Sequence, residues 1–280
     1  MHLYLLFRLP GFYSGGMTPR NTNRNATNNA AGAKTATTED TLPAELHIDR
    51  MTPARALAAM LDNQAHALTA LETALPAIER AAIAAYQRLC QSETGRLIYV
   101  GAGTSARIGV QDGAELLPTF NWPDHRVEFL IAGGSSALLR AIENAEDDAE
   151  TAAAQIATIA VGHNDVVIGL AASGSTVFTT AAIASAKQAG AVTIGIANNP
   201  ETALLAIAEY PILLATGAEI IAGSTRLQAG TAQKICLNLI SNMIMVKMGF
   251  VVDGMMAEMV PTNAKLRRRR AEIDAKLSRS

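Results

Sequence analysis

The sequence predicts an α/β protein in which a parallel sheet is flanked by helices on both faces and preceded by N-terminal helices. Three observations predict it. Five short runs, "LIYVGA", "VEFLIAG", "DVVIGLAAS", "AVTIGIAN" and "YPILLAT", are apolar almost throughout, as strands buried on both faces are. Ala-rich stretches of helical character separate or follow them, at Arg107–Leu117, Ser136–Ile159, Val177–Ala189 and Glu201–Ala208. Finally, small-residue turns close the first four strands ("GAGTS", "AGGSS", "ASGST" and "NNPET"). Right-handed crossovers would bring all four turns to one edge of the sheet, where open α/β sheets bind their ligands.

From the amino end, "MHLYLLFRLPGFYSGGM" invites a signal-peptide reading. Its apolar part is short, Arg8 and Pro10 interrupt it, and no basic segment precedes it, so initiation at Met17 is the competing expectation. Residues 18–40 are rich in Asn, Thr and Ala and poor in large apolar side chains, which predicts a disordered arm over residues 1–40. Residues 41–280 then form one domain. Its helical opening has Thr52 as N-cap, Pro53 in the first turn, and Leu57, Met60, Leu61, Leu68, Leu71 and Leu75 at helical spacing. Behind the sheet comes a long apolar helix around "RLQAGTAQKICLNLISNMIMVKMGF", and "NAKLRRRRAEIDAKL" closes the chain as a polar helix.

Composition narrows the function. Of 280 residues 49% are hydrophobic, 17% charged and 4% aromatic, so Ala, Ile, Val and Leu must fill a large interior. A net charge of −2 argues against a nucleic-acid partner, and Arg267–Arg270 read as one solvated basic turn. No window has the roughly 18 apolar residues of a membrane span. Cys90 and Cys236 lie far apart in helical contexts, as buried thiols of a reducing compartment do, and the cytoplasm is expected. The five histidines form no metal-binding spacing, so no metal or other cofactor is expected.

The turns carry the chemistry. Gly101 and Gly103 let backbone approach a ligand, while Thr104 and Ser105 add hydroxyls at a helix N-terminus, which together favour an anion such as phosphate. A dinucleotide fingerprint would need glycine where Ala106 stands, and an acidic residue where "VEFLIAGG" ends in glycines. Hydroxyls recur at Ser173, Ser175 and Thr176 and again at Ser224 and Thr225. Helix capping alone could explain each turn singly, whereas recurrence at successive strand ends suits a phosphate with sugar hydroxyls.

At these residues the chain resembles the N-acetylmuramic acid 6-phosphate etherases, which are built on the sugar isomerase (SIS) phosphosugar-binding fold, a Rossmann-like sandwich. The matching stretches are "RLIYVGAGTSARIGVQDGAELLPTF", "IAGGSSALLRAIENAEDD", "DVVIGLAASGST", "GSTRLQAGTAQKICLNLISNMIM" and "TNAKLRRRRAEI". The likeness runs from about Glu45 to Ile273. It implies a lyase that cleaves the D-lactyl ether of N-acetylmuramic acid 6-phosphate by elimination and water addition, giving D-lactate and N-acetylglucosamine 6-phosphate. Peptidoglycan recycling is the setting it implies, with neither metal nor nicotinamide.

That chemistry needs one group to take the C2 proton of the ring-opened aldehyde and another to protonate the departing ether oxygen, roles that two carboxyl groups can share. The resemblance assigns Glu115, in "GAEL", as the acid and Glu146, in "NAEDD", as the base. Read from the residues alone, Glu115 is flanked by Ala114, Leu116 and Leu117, where a desolvated carboxyl is expected, and Glu146 equally suits a solvated acidic cluster. Gly103, Thr104, Ser105, Ser173, Ser175, Thr176, Ser224 and Thr225 are the candidate substrate contacts. A homodimer is expected, with active sites near its interface as the family resemblance implies.

Five residues depart from the family's usual pattern: Ala106, Leu116 with Leu117, Ser175 and Gln228. Ser175 and Gln228 each replace a cation, so altered phosphate or carboxylate recognition is expected there. The C-terminal helical domain that many members carry is not expected in the stretch up to residue 280. A non-catalytic phosphosugar-binding or regulatory protein, and a phosphosugar isomerase on the same fold, stay open as alternatives.

Overall fold

The computed structural model describes residues 37–140, 142–261 and 264–277. Most of the arm expected over residues 1–40 lies outside them. Its last residues are packed, however, so the boundary expected at 40 moves towards the amino end. Thr38 is fully buried; its N–H donates to Asn199 Oδ1 (3.0 Å), and its hydroxyl oxygen accepts from Asn199 Nδ2 (3.0 Å). The Thr38 carbonyl accepts the Gly223 N–H (2.9 Å).

All five expected strands are present: β1 (Leu97–Gly101), β2 (Val127–Ile131), β3 (Val166–Leu170), β4 (Val192–Ala197) and β5 (Tyr210–Leu213). They pair parallel in the order β2-β1-β3-β4-β5, so the strand order reverses between β1 and β3. Every residue of β1, β3 and β4 is buried. That burial on both faces is why these segments read as continuous apolar runs.

Alternate side chains feed two cores. Leu97, Tyr99, Ile168 and Ile194 pack under α1 (Pro53–Leu89) and α7 (Gln228–Lys247). Ile98, Val100 and Val167 face α4 (Ala149–Thr158) and α5 (Val177–Gln188) on the other side. A short α6 (Ala203–Ile207) also covers that second face through Leu204. Helices α2 (Gly103–Ala114) and α3 (Leu116–Phe120) divide the stretch expected as one helix over Arg107–Leu117. Among the described residues no helix is long and apolar enough to cross a membrane.

Two expectations about helices change. The N-terminal helices are one continuous α1 of 37 residues, with Pro53 at its start and Pro76 inside it. Most of its leucine row lies outside the core: Leu57, Leu61, Leu68 and Leu75 are 66%, 73%, 57% and 48% exposed, while Leu71 is buried. The inward face is instead alanine at Ala67, Ala70, Ala74, Ala81 and Ala85, small enough to let α1 lie close to the sheet and α7. A helix of this length runs to about 55 Å, far beyond five-residue strands, so its first turns have little of this domain to pack on.

The second change concerns Ser136–Ile159, expected as one helix. The chain there makes a 3-10 turn at Ser135–Leu138, a left-handed residue at Asn144 (φ 59°) and a second 3-10 turn at Ala145–Asp147. Helix α4 starts only after Asp148, whose carboxylate caps it by accepting from the Thr151 N–H (2.9 Å). Beyond α7, Asp253 and Gly254, both at positive φ, turn β6 (Val251–Val252) into β7 (Met255–Met256), as Asp-Gly does in tight hairpins. Helix α8 (Ala264–Leu277) follows, with Arg267, Arg268 and Arg269 exposed.

Strand glycines set how closely the helices approach. A Cβ at Gly195 in β4 would lie 2.7 Å from Ala208 Cβ and 3.0 Å from the Leu204 carbonyl oxygen. Gly195→Ala must therefore push α6 and its following turn outward, and should cost about 1–3 kcal/mol of unfolding free energy in a urea titration.

Candidate active site

Two loops build the first cavity, at the point where the strand order reverses. After β1 the chain turns through Gly103 (φ 52°) into α2; after β3 it turns through Gly174 (φ 69°) towards α5. Ala102, Gly103, Thr104 and Ser105 line the cavity from the first turn, and Ser173 and Thr176 from the second. Thr225 adds a hydroxyl from the turn before α7, and the cavity holds about 190 Å³. Capping does not explain these hydroxyls. Ala102 is the N-cap of α2, and Thr176 precedes α5 without a side-chain cap bond. The first-turn N–H groups of α2 and the free hydroxyls thus make a neutral, donor-rich floor for an anion.

Six of the eight predicted contacts, Gly103, Thr104, Ser105, Ser173, Thr176 and Thr225, meet at this cavity. Ser175 and Ser224 do not line it. Ser175 is exposed, and its N–H donates to Ser173 Oγ (3.2 Å), which fixes the Ser173 hydroxyl. Glu146 does line it, from the 3-10 turn that interrupts the expected helix. Its Oε1 lies 3.5 Å from where a Cβ on Gly103 would be. Glu39 lines the same cavity from the packed end of the arm. Nothing in that polar, low-complexity segment marks it out beforehand.

Glu115 lies elsewhere in the chain. It ends α2, and 12 helical residues separate the glycine turn after β1 from it, about 18 Å along the axis. Its side chain is exposed, so the desolvation expected from Leu116 and Leu117 is absent in the single chain; Leu116 turns into the core instead. Glu115 lines a second cavity, of about 200 Å³, between α2 and α7, together with Asp112, Lys234, Asn238, Ser241 and Asn242.

Asp112 is the buried carboxyl of this helix. It accepts from Tyr99 Oη (2.9 Å), Asn238 Nδ2 (2.6 Å) and Ser241 Oγ (3.1 Å). Burial raises its pKa above the usual carboxylate range, opposed by those three donors and by the charge of Lys234. Sequence reasoning missed this group. The signal was present: Lys234, Asn238 and Ser241 recur at helical spacing as a polar stripe on an otherwise apolar helix.

Gln228 corrects a second expectation, because it does not face the anion cavity. Fully buried at the start of α7, its side-chain amide donates to the carbonyls of Thr216 (3.1 Å) and Ala218 (2.7 Å). Its oxygen lies 3.3 Å from His66 Nδ1. The buried carboxylate of Glu219 accepts the N–H groups of Gln228 (3.1 Å) and Ala229 (3.0 Å), satisfying two of the orphan donors at the start of α7. Burial raises the Glu219 pKa, and those two donors oppose the shift. Among the described residues no group of three or more His, Cys, Asp or Glu is arranged to hold a metal ion.

Residues 81–187 match the model of the glucokinase regulatory protein N-terminal SIS domain. Over 229 residues the chain is 46% identical to an N-acetylmuramic acid 6-phosphate etherase of Deinococcus radiodurans, covering 82% of this chain and 74% of that protein. It is 42% identical over 236 residues to the N-acetylmuramic acid 6-phosphate etherase of Pasteurella multocida, covering 84% and 78%. In fold it is similar to a phosphoheptose isomerase from Francisella tularensis, with a TM-score of 0.51 at 19% identity over 69% of this chain and 98% of that one.

The raised pKa of Asp112 gives a signed pH dependence. A carboxyl whose folded pKa exceeds its unfolded value contributes stability below the unfolded pKa and loses it as pH rises through the folded one. Asp112→Asn lacks this loss, so its melting temperature relative to wild type should climb as pH rises from the ordinary carboxylate range through the raised pKa of Asp112. A difference that stays flat across that range contradicts the burial argument.

Proposed function

The chain belongs to the N-acetylmuramic acid 6-phosphate etherase family, and from that premise we propose that it is a lyase cleaving the D-lactyl ether of N-acetylmuramic acid 6-phosphate. Its products are D-lactate and N-acetylglucosamine 6-phosphate. The observation that carries this reading is the cavity where β1 and β3 diverge, which gathers hydroxyls, α2 N–H groups and the carboxylate of Glu146. The donors hold the 6-phosphate, and Glu146 stands beside them to act on the sugar.

In the reaction, Glu146 takes the C2 proton of the open-chain aldehyde. The C3–O bond then breaks with its electron pair going to the ether oxygen, which Glu115 protonates as lactate leaves. Water then adds across the C2–C3 double bond: Glu115 takes a proton from it as its hydroxyl bonds to C3, Glu146 returns its proton to C2, and the ring closes with both carboxyl groups restored. A phosphorylated sugar as substrate and two free thiols suit a cytoplasmic enzyme of peptidoglycan recycling.

Because Glu115 and Glu146 line separate cavities of one chain, the working enzyme is a homodimer in which a second copy brings Glu115 to the phosphosugar cavity. The exposed row Leu57, Leu61, Leu68 and Leu75 on α1 supports it, as do the exposed Leu239, Met243 and Val246 on α7. These form an apolar surface of the kind that subunits cover. The same separation favours, as second reading, a protein that binds the phosphosugar without cleaving it.

Purified protein incubated with N-acetylmuramic acid 6-phosphate should release D-lactate; tight phosphosugar binding without lactate selects the second reading. Glu115→Gln should abolish lactate release while substrate still binds, and undiminished turnover removes Glu115 from its role. Leu61→Glu combined with Leu68→Glu should convert dimer to monomer in sedimentation, retain the helical circular dichroism, and lose lactate release. A folded, fully active monomer overturns the shared site.

A further inference from the structure

The cavity between α2 and α7 is more than the place where Glu115 ends. The ether to be cleaved joins C3 to a lactyl group whose carboxylate is one carbon away from the oxygen that Glu115 must protonate. A site for that oxygen therefore needs a cation close to its acid. Among the described residues lining the two cavities, Lys234 is the one cation, and it lines the Glu115 cavity. The phosphate cavity uses hydroxyls and N–H groups instead.

Lys234 is not committed to a structural pair. It is exposed, and among the described residues it makes neither a salt bridge nor a hydrogen bond. Its natural neighbour, Asp112, lines the same cavity but is buried, and Tyr99, Asn238 and Ser241 already donate to it. The cavity, at about 200 Å³, is several times the ~30 Å³ share of one liquid water, room enough for a short hydroxy acid. Asn242, one helical turn beyond Asn238, supplies a further amide to the lining.

Resting on the lyase reading above, we propose that this cavity is the lactyl subsite, in which Lys234 pairs the lactyl carboxylate and so aligns the ether oxygen with Glu115. Lys234 and Glu115 belong to the same cavity of the same chain, so the pairing holds whichever subunit supplies the phosphate turns. Lys234 is thereby a specificity-determining residue: it separates a 3-O-lactyl sugar phosphate from a hexosamine phosphate that has a bare 3-hydroxyl. An ammonium paired with a carboxylate in a partly enclosed site is a charge-assisted contact, stronger than one between neutral groups.

The test compares wild type, Lys234→Met and Lys234→Arg. Lys234→Met should raise KM for N-acetylmuramic acid 6-phosphate at least tenfold and abolish competitive inhibition by D-lactate. Its dissociation constant for N-acetylglucosamine 6-phosphate, measured by calorimetry, should stay within twofold of wild type. Lys234→Arg should recover most of the lactate inhibition. Wild-type constants in Lys234→Met overturn the subsite alone. Equal weakening of both ligands also overturns it, since that is the mark of a structural lysine. A wild type that releases no lactate overturns the lyase reading itself, and with it the subsite.

Discussion

The arrangement of the site depends on one rigid element, α2. Its first-turn N–H groups form part of the anion floor, and its last turn presents Asp112 and Glu115 to a different cavity. Twelve helical residues fix that separation at about 18 Å, longer than a hexosamine phosphate, and a straight hydrogen-bonded helix cannot fold back to shorten it. Gly113 keeps the helix pressed on the sheet; a Cβ there would meet the rings of Phe129 and Tyr99 at 2.6 and 2.9 Å. Tyr99, pinned to Asp112 through its hydroxyl, ties the same helix to β1. The two ends of α2 therefore stay apart within one chain, since the helix cannot bend to join them.

Helix α7 is the complement of α2. Its buried face carries Ala229, Ala232, Cys236, Leu237, Ile240 and Ile244 into the core. A second stripe, Lys234, Asn238 and Ser241, looks towards α2, and its Asn238 and Ser241 hold the Asp112 carboxyl in place. A third, Leu239, Met243 and Val246, is apolar and exposed. One helix thus serves the core, the Glu115 cavity and an open apolar surface at once. Its start is correspondingly well anchored, since Glu219 accepts two of its first N–H groups and Gln228 closes the loop behind it.

How much of this was legible varies with the kind of constraint. Strands β1, β3 and β4 were plain because burial on both faces forces every position to be apolar. The hydroxyl turns were legible because they recur after successive strands, and six of eight candidate contacts do converge. The break inside Ser136–Ile159 was hidden because it rests on a single left-handed Asn144 and the cap at Asp148, in a stretch whose composition is otherwise helical. Leucine spacing on α1 gave the helix but not its inward face: periodicity marks an apolar face without saying what covers it, and here a mainly alanine face with Leu71 packs inward. Gln228 was read as a lost ligand cation because sequence shows the residue type but not the direction in which it points.

The two carboxylates at the phosphosugar cavity, Glu39 and Glu146, also follow from this division of labour. A carboxylate repels an anion, and among the described residues no cation lines this cavity, so the groups there suited to an anion are the oriented dipoles at its floor. Hydroxyls of Thr104, Ser173, Thr176 and Thr225 can supply those dipoles, while carboxylates accept hydrogen bonds from the sugar's hydroxyl and amide groups. Thr38, clamped to Asn199 and to Gly223, gives Glu39 a fixed base from which to do this, although it belongs to a segment whose composition promised no structure. Local pairing with the folded domain, not local propensity, orders those residues.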